Sequence, residues 1–272
     1  MWDSLGCPHG RYTSENPCLT NRIEAIRQTI VPDEGYSFLS LDISQAEYIV
    51  WASLSGDQIL ATLFLQGRDF HIAMAQDIRK LVPGWDLRGQ DERSAGKTVN
   101  FAILYQMQPH TLARKLGCPV AVAQKIIDVY YRRASCAKRY IDDVLARAEQ
   151  LGFVETPFGR RRYCPEYQLE TGERARHEIE KTLWSHVNAG TAAEILKFKQ
   201  LALWSALRHI GFEPHQVRLV INLFDEAIWH VRDDVLDEVK DLAESVWREP
   251  IQGFLPFDST IQQGKTWEVV SR

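Results

Sequence analysis

Four side chains spaced by four, Arg93, Lys97, Phe101 and Tyr105, lie within ERSAGKTVNFAILY at 92–105. On a helix such steps share one slowly rotating stripe over about three turns. Two cations on successive turns can offset the charge of a triphosphate, and an aromatic one turn further can stack against a base or sugar. The same spacing also suits a surface helix whose aromatics pack in the core. Far from the stripe, Asp42 closes the apolar run YSFLSLD at 36–42, and Asp225 lies between the two halves of VRLVINLFDEAIWHVRD at 217–233. Neighbouring strands would bring these carboxylates together, and a bound cation pair would relieve their repulsion. Hard oxygen ligands on rigid strand ends suit Mg²⁺, which keeps waters and takes substrate phosphates as its remaining ligands. Taken singly, Asp42 also fits a helix cap and Asp225 a turn residue. Ser44 and Glu47 fit the S-x-x-E capping box at the start of a helix.

These groups need elements to hold them. Residues 36–42 read as a strand and SQAEYIVWASLS at 44–55 as a helix. Helical periodicity continues over 57–80, and PGWD at 83–86 ends it. Helices are expected at 91–107, 119–133 and 135–151, then a Gly- and Pro-punctuated strand or loop in GFVETPFGRRRYCPE at 152–166, then a long helix over 173–210. The two β-rich runs meeting at Phe224, Asp225 and Glu226 predict a hairpin with two carboxylates near its tip. The expected fold class is therefore α+β, mostly helical with a small antiparallel sheet.

Composition limits the partners. The 272 residues, 45% hydrophobic and 25% charged, are enough for one large domain or two small ones. Nothing approaches about twenty uninterrupted apolar residues, and MWDSLGCPHGRY lacks the basic-then-apolar order of a signal peptide, so a cytoplasmic protein with no membrane partner is expected. Cys7, Cys18, Cys118, Cys136 and Cys164 are scattered and never in C-x-x-C spacing, which favours reduced thiols. Cys7, His9 and Cys18 lack an obvious fourth zinc ligand. The net charge of −4 argues against indiscriminate nucleic-acid binding. Its distribution is uneven: Arg160, Arg161 and Arg162 sit in a basic stretch, whereas Asp233, Asp234, Asp237, Glu238, Asp241 and Glu244 read as a solvated helix face.

Several motifs, in one order, resemble those of the family A DNA polymerases, the group typified by bacterial DNA polymerase I. The Arg93 to Tyr105 stripe resembles the nucleotide-binding fingers helix, SLDISQAE at 40–47 the first catalytic aspartate motif, and LFDEAI at 223–228 the second. GRYTSENPCLTNRI at 10–23 is similar to the primer-template contact segment, and LSGD at 54–57 with DFHIAMA at 69–75 to the opening of the fingers. TPFGRRRYCPE at 156–166 and GTAAEILK at 190–197 resemble the return into the palm, and QQGKTWEVV the terminal strand.

The resemblance implies a right-hand fold, with palm over 1–58 and 160–272, fingers over 59–159 and no thumb. It implies template-directed DNA synthesis by a two-metal nucleotidyl transfer from dNTPs to a primer 3′-hydroxyl, without proofreading in this chain. Asp42 and Asp225 would hold two Mg²⁺ ions, with Mn²⁺ an alternative, and Glu226 would be an auxiliary carboxylate. Lys97 and Arg93 would bind the phosphates, with Lys97 also placed to protonate the leaving group. Phe101, Tyr105, His71 and Gln45 would contact the nucleotide, and Glu47 would stand against the sugar C2′ to exclude a ribose hydroxyl. Arg11, Asn21, Arg160, Arg161 and Arg162 would contact a DNA primer-template. Several positions depart from the family pattern: Ile43 replaces a Tyr, Ala102 and Gln106 replace Gly, Ala189 a Gln, and Phe224 the His before the Asp-Glu pair. Ala189 and Phe224 cannot make the minor-groove hydrogen bonds implied there. A truncated chain, a minimal enzyme and a split polymerase, whose second chain supplies thumb or exonuclease, all remain open.

Overall fold

A computed structural model of the chain describes residues 2–3, 7–14, 24–66, 69–82, 85, 89 and 91–270. Its first elements are β1 (Trp2–Asp3), β2 (Thr13–Ser14), α1 (Glu24–Arg27), β3 (Tyr36–Ile43), α2 (Ala46–Ser55), α3 (Gln58–Leu65) and α4 (Phe70–Leu81). There follow α5 (Glu92–Leu104), α6 (Pro109–Leu116), α7 (Val120–Arg133), α8 (Ser135–Leu151), β4 (Phe153–Glu155), β5 (Arg161–Tyr163), α9 (Pro165–Leu169) and α10 (Glu173–His209). The chain closes with β6 (Val217–Leu223), β7 (Glu226–Arg232), α11 (Leu236–Arg248), β8 (Ser259–Gly264) and α12 (Trp267–Val270). The α+β class is as expected.

Four strands form an antiparallel sheet in the order β6-β7-β3-β8. Strand β3 is central, and both of its faces are covered. Leu39, Leu41 and Ile43 join a core with Leu196 of α10 and Val239 of α11, while Phe38 packs on the opposite side with Ile228 and Trp267. Alternation along the strand then puts Ser40 and Asp42 on the Phe38 face. Cross-strand pairing sets Asp42 opposite Glu226, at the end where β6 turns into β7.

A second, larger core fills the helical half, from Tyr48 and Trp51 through Phe70, Ile103 and Tyr130 to Trp184. Its joint is Asp57. This buried carboxylate accepts from the N–H groups of Ile59 and Leu60 with one oxygen, and from those of Cys136 and Ala137 with the other. One side chain thus caps the N-termini of both α3 and α8. Helices α4 and α5 approach so closely that a Cβ on Gly96 would lie 2.0 Å from the His71 carbonyl oxygen. Helix α10, about 55 Å long, runs through both cores, and its buried Lys199 Nζ donates to the carbonyls of Trp247 (2.8 Å) and Glu249 at the end of α11.

Several expectations need correction. Helicity over 57–80 is interrupted after Leu65, because Asp69 takes the N-cap of a separate helix by accepting from Ile72 N–H. The segment 152–166 is the β4-β5 hairpin leading into α9, and α6 was not foreseen. QQGKTWEVV is strand only through Gly264, and Trp267–Val270 is helical. The Ser44–Glu47 capping box does not form. Helix α2 starts at Ala46 after Gln45 in the left-handed region at φ 56°, with no side-chain cap. Ser44 is still tied to neighbouring chain there: its N–H donates to Asp258 (2.9 Å), and its hydroxyl lies 3.4 Å from the Asp42 carboxylate and from the Thr260 hydroxyl.

Most of the acidic run lies where solvation was expected, with Asp233 and Asp234 exposed before α11 and Asp237, Glu238 and Asp241 on its outer face, whereas Glu244 is half-buried and pairs with Arg248. Among the described residues Cys7, Cys118, Cys136 and Cys164 form no disulfide, and no helix is long and apolar enough to cross a membrane. Cys18 lies outside the described residues.

Candidate active site

The two aspartates meet at one end of the sheet. Strand β3 delivers Asp42 and the β6-β7 turn delivers Asp225, whose carbonyl accepts from Ile43 N–H at 3.0 Å. Burial pushes the Asp42 carboxyl up to about 7, helped by the negative charges of Asp225 and Glu226 and opposed by the Ser44 hydroxyl. Burial also raises Asp225, while its own backbone N–H and the Arg11 cation act against the rise. Glu226 is turned aside: its carboxylate accepts from the Ser40 hydroxyl at 2.5 Å. Among the described residues no group of three or more His, Cys, Asp or Glu side chains is arranged to hold a metal. The donor set at this end is therefore a pair of carboxylates that repel one another. Such a pair fits a hard divalent cation whose remaining ligands are water and phosphate oxygens.

The stripe on α5 holds as a stripe. The Lys97 ammonium lies 5.8 Å from the Phe101 ring centre, and the Phe101 and Tyr105 rings are parallel within 3° at 6.2 Å. Phe101 is 36% exposed, so it is not core packing. It rests instead on His71, whose ring is nearly parallel at 6.2 Å, and on the edge of Tyr48. His71 is buried behind Phe101, and burial lowers its pKa to about 4, so the ring is neutral. Asn100 pairs with its Nδ1 at 2.8 Å. At the head of the stripe Arg93 donates to Asp69 at 2.7 Å and remains solvent-facing.

Glu47 links this helix to the sheet. One of its oxygens accepts from the Tyr105 hydroxyl at 2.6 Å, and the other pairs with the Arg11 guanidinium. The Arg11 guanidinium also stands over the Phe224 ring at 5.3 Å, beside Asp225. Gln45 lies two residues before Glu47, and its side-chain carbonyl is buried without a hydrogen-bond partner.

The expected DNA contacts are spread. Arg160 pairs with Glu194 at 3.1 Å beneath Gly10, whose lack of a side chain leaves room for the guanidinium where a Cβ would come within 2.8 Å. Arg161 pairs with Glu155 on the exposed hairpin and covers the Phe153 ring, and Arg162 is half-buried opposite Val154. Asn21 lies outside the described residues. Sequence reasoning missed Asn100, which orients His71, and Lys197, which donates to the Gly10 carbonyl at 2.6 Å and sits over Tyr12. Lys197 ends the GTAAEILK motif and could have been found there. Asn100 carried no signal beyond its place on α5.

The profile of DNA polymerase family A matches residues 2–269. DNA polymerase I of Lactococcus lactis is 34% identical over 264 residues, covering 95% of this chain and 30% of that protein. The Chloroflexus aurantiacus DNA polymerase I is 32% identical over 283 residues, covering 99% of this chain and 29% of that protein. The chain thus spans about three-tenths of the length of these relatives. Its fold is similar to the POL domain of Pol1 from M. smegmatis in complex with DNA primer-template and dNTP. That likeness has a TM-score of 0.88 at 24% identity and covers 100% of this chain and 48% of the other. A profile match almost from end to end, together with relatives above 30% identity, leaves one conclusion: the chain belongs to DNA polymerase family A.

Proposed function

We propose that this chain carries out template-directed DNA synthesis, joining a primer 3′-hydroxyl to the α-phosphate of a dNTP with release of pyrophosphate. The observation that carries the reading is that Asp42 and Asp225 meet at one end of the sheet while Glu47 and Arg11 link the Tyr105 end of α5 to the turn that carries Asp225. Residues 1–58 and 160–272 serve as palm, and 59–159 as fingers. Asp42 and Asp225 would hold two Mg²⁺ ions, with Mn²⁺ an alternative, and these would activate the primer hydroxyl and neutralise triphosphate charge.

The chain's own groups do the rest. Arg93 and Lys97 bind the phosphates, Arg93 by leaving or sharing Asp69, and Lys97 Nζ gives a proton to the departing pyrophosphate. Phe101 and Tyr105 form one wall of the nascent base pair, with neutral His71 setting the Phe101 ring from behind. Glu47 and Gln45 border the sugar, and Glu47 crowds out a 2′-hydroxyl. Arg11, Asn21, Arg160, Arg161 and Arg162 contact the primer-template, and Glu226, held by the Ser40 hydroxyl, is an auxiliary carboxylate near the primer end.

Primer extension on a DNA template, with Mg²⁺ and either deoxy- or ribonucleotides, tests this. Template-dependent growth with deoxynucleotides is expected. Primer shortening in place of growth would point to a metal-dependent nuclease instead. A 3′-mismatched primer incubated without nucleotides tests whether the chain lacks proofreading, and it should stay intact.

A further inference from the structure

We infer that Arg11 is a positioning residue that ties the Phe224–Asp225 turn to Glu47, so that the turn beside the reacting 3′ end sets how firmly the sugar-discriminating carboxylate is held. The inference rests on the polymerase reading above. A glutamate side chain has three rotatable bonds, and it discriminates by bulk only if it is kept in one place. Here each carboxylate oxygen has its own anchor, Tyr105 from α5 and Arg11 from the segment before β2. Both partners of the ion pair are largely shielded, with Arg11 20% and Glu47 12% exposed, so the pairing is not a solvated surface contact.

Arg11 is fixed from its other side by Phe224. That residue adopts a left-handed backbone at φ 29°, rare for a bulky side chain, and is 44% exposed, yet its ring lies under the guanidinium. A His at this position would offer a hydrogen bond to DNA, whereas a Phe offers a face for a cation. The replacement therefore gives the turn a hold on Arg11 in place of a polar contact. Arg11 Nε is buried without a hydrogen-bond partner, so the Glu47 contact and the Phe224 ring are what hold the guanidinium in place. Contact runs without a break from Phe224 through Arg11 and Glu47 to Tyr105.

The test measures kcat/KM for one ribonucleotide and the matching deoxynucleotide, opposite the same template base on the same primer. Loss of grip on DNA scales both values alike and cancels in their ratio. Parent, Glu47→Ala, Arg11→Ala, Arg11→Lys and Phe224→Leu are compared, each shown to be folded by thermal melting. Relative ribonucleotide use should rise sharply in Glu47→Ala and about tenfold in Arg11→Ala, with Arg11→Lys within about threefold of the parent. Phe224→Leu keeps apolar bulk but removes the ring face, and should raise the ratio about two- to threefold. If Glu47→Ala raises the ratio while Arg11→Ala and Phe224→Leu leave it at the parent value, the inference is overturned and the polymerase reading stands. An unchanged ratio in Glu47→Ala removes Glu47 as the discriminating group, and the role of Arg11 falls with it. Should Arg11→Ala fail to fold, Phe224→Leu at its exposed turn decides, and an unchanged ratio there overturns the link.

Discussion

Asp42 is the residue whose ionisation the fold alters most usefully. Its carboxyl moves from an ordinary 3.8 to about 7, first through burial and then through Asp225 and Glu226. The folded chain therefore holds this proton over a window where the unfolded chain has lost it, and stability falls as pH rises from about 4 through about 7. His71 runs the other way: its folded pKa of about 4 lies below 6.5, so it contributes stability as pH rises across that interval. Asp42→Asn separates the two. In metal-free buffer the variant should melt about 2–4 °C above the parent at pH 8 and much closer to it at pH 5. Mg²⁺ should raise the parent's melting temperature more at pH 8 than at pH 5. Asp225→Asn should lower incorporation by at least about a thousandfold while keeping the melting profile of a folded protein, read by single-nucleotide extension and calorimetry. A parent-like rate would remove Asp225 from the reaction. The aspartates were legible because a strand end and a hairpin tip each display a carboxylate in a recognisable place. Of the two readings of Glu47, the cap does not hold, since the S-x-x-E spacing is local, whereas Arg11 and Tyr105 reach the carboxylate across 36 and 58 residues.

At the scale of elements, the strands and the longer helices followed their periodicity. The β6-β7 hairpin and α10 both lie within a residue or two of expectation, because alternation and the 3.6-residue repeat were strong over many positions. The break between α3 and α4 was overlooked because apolar residues continue on both sides of it, although Gly67 and the cap at Asp69 mark it. Helix α6 begins at a proline, which reads as an interruption although it is well placed at the first helical position. Asp57 was quoted in LSGD without its use, which depends on α8 arriving from 80 residues away. Asp57→Ala leaves two helix starts uncapped in the core and should cost about 2–4 kcal/mol, measured by urea denaturation. Asp57→Asn retains an acceptor for one helix and should cost less. Equal losses in the two variants would show that charge, not capping, is what matters there.

For the molecule as a whole, net charge and local charge act differently. With −4 overall, the proposed association with DNA would depend on local cations, among them Arg11 and the Arg160 to Arg162 stretch. Affinity for a primer-template should therefore fall steeply and log-linearly with salt, by about tenfold or more between 50 and 200 mM, followed by fluorescence anisotropy. A flat salt response would rule out phosphate contacts as the main hold. Helix α10 has a different kind of consequence. Leu183, Trp184 and Val187 belong to the core of the helical half, while Ala192, Ile195 and Leu196 belong to the core against the sheet. Helix α2 is divided in the same way, with Trp51 in one core and Ile49 and Val50 in the other. Two helices that each belong to both cores leave neither core able to come apart alone. Amide hydrogens between 183 and 200 should therefore be the slowest in the chain to exchange with deuterium, and their exchange should report global opening of both halves together.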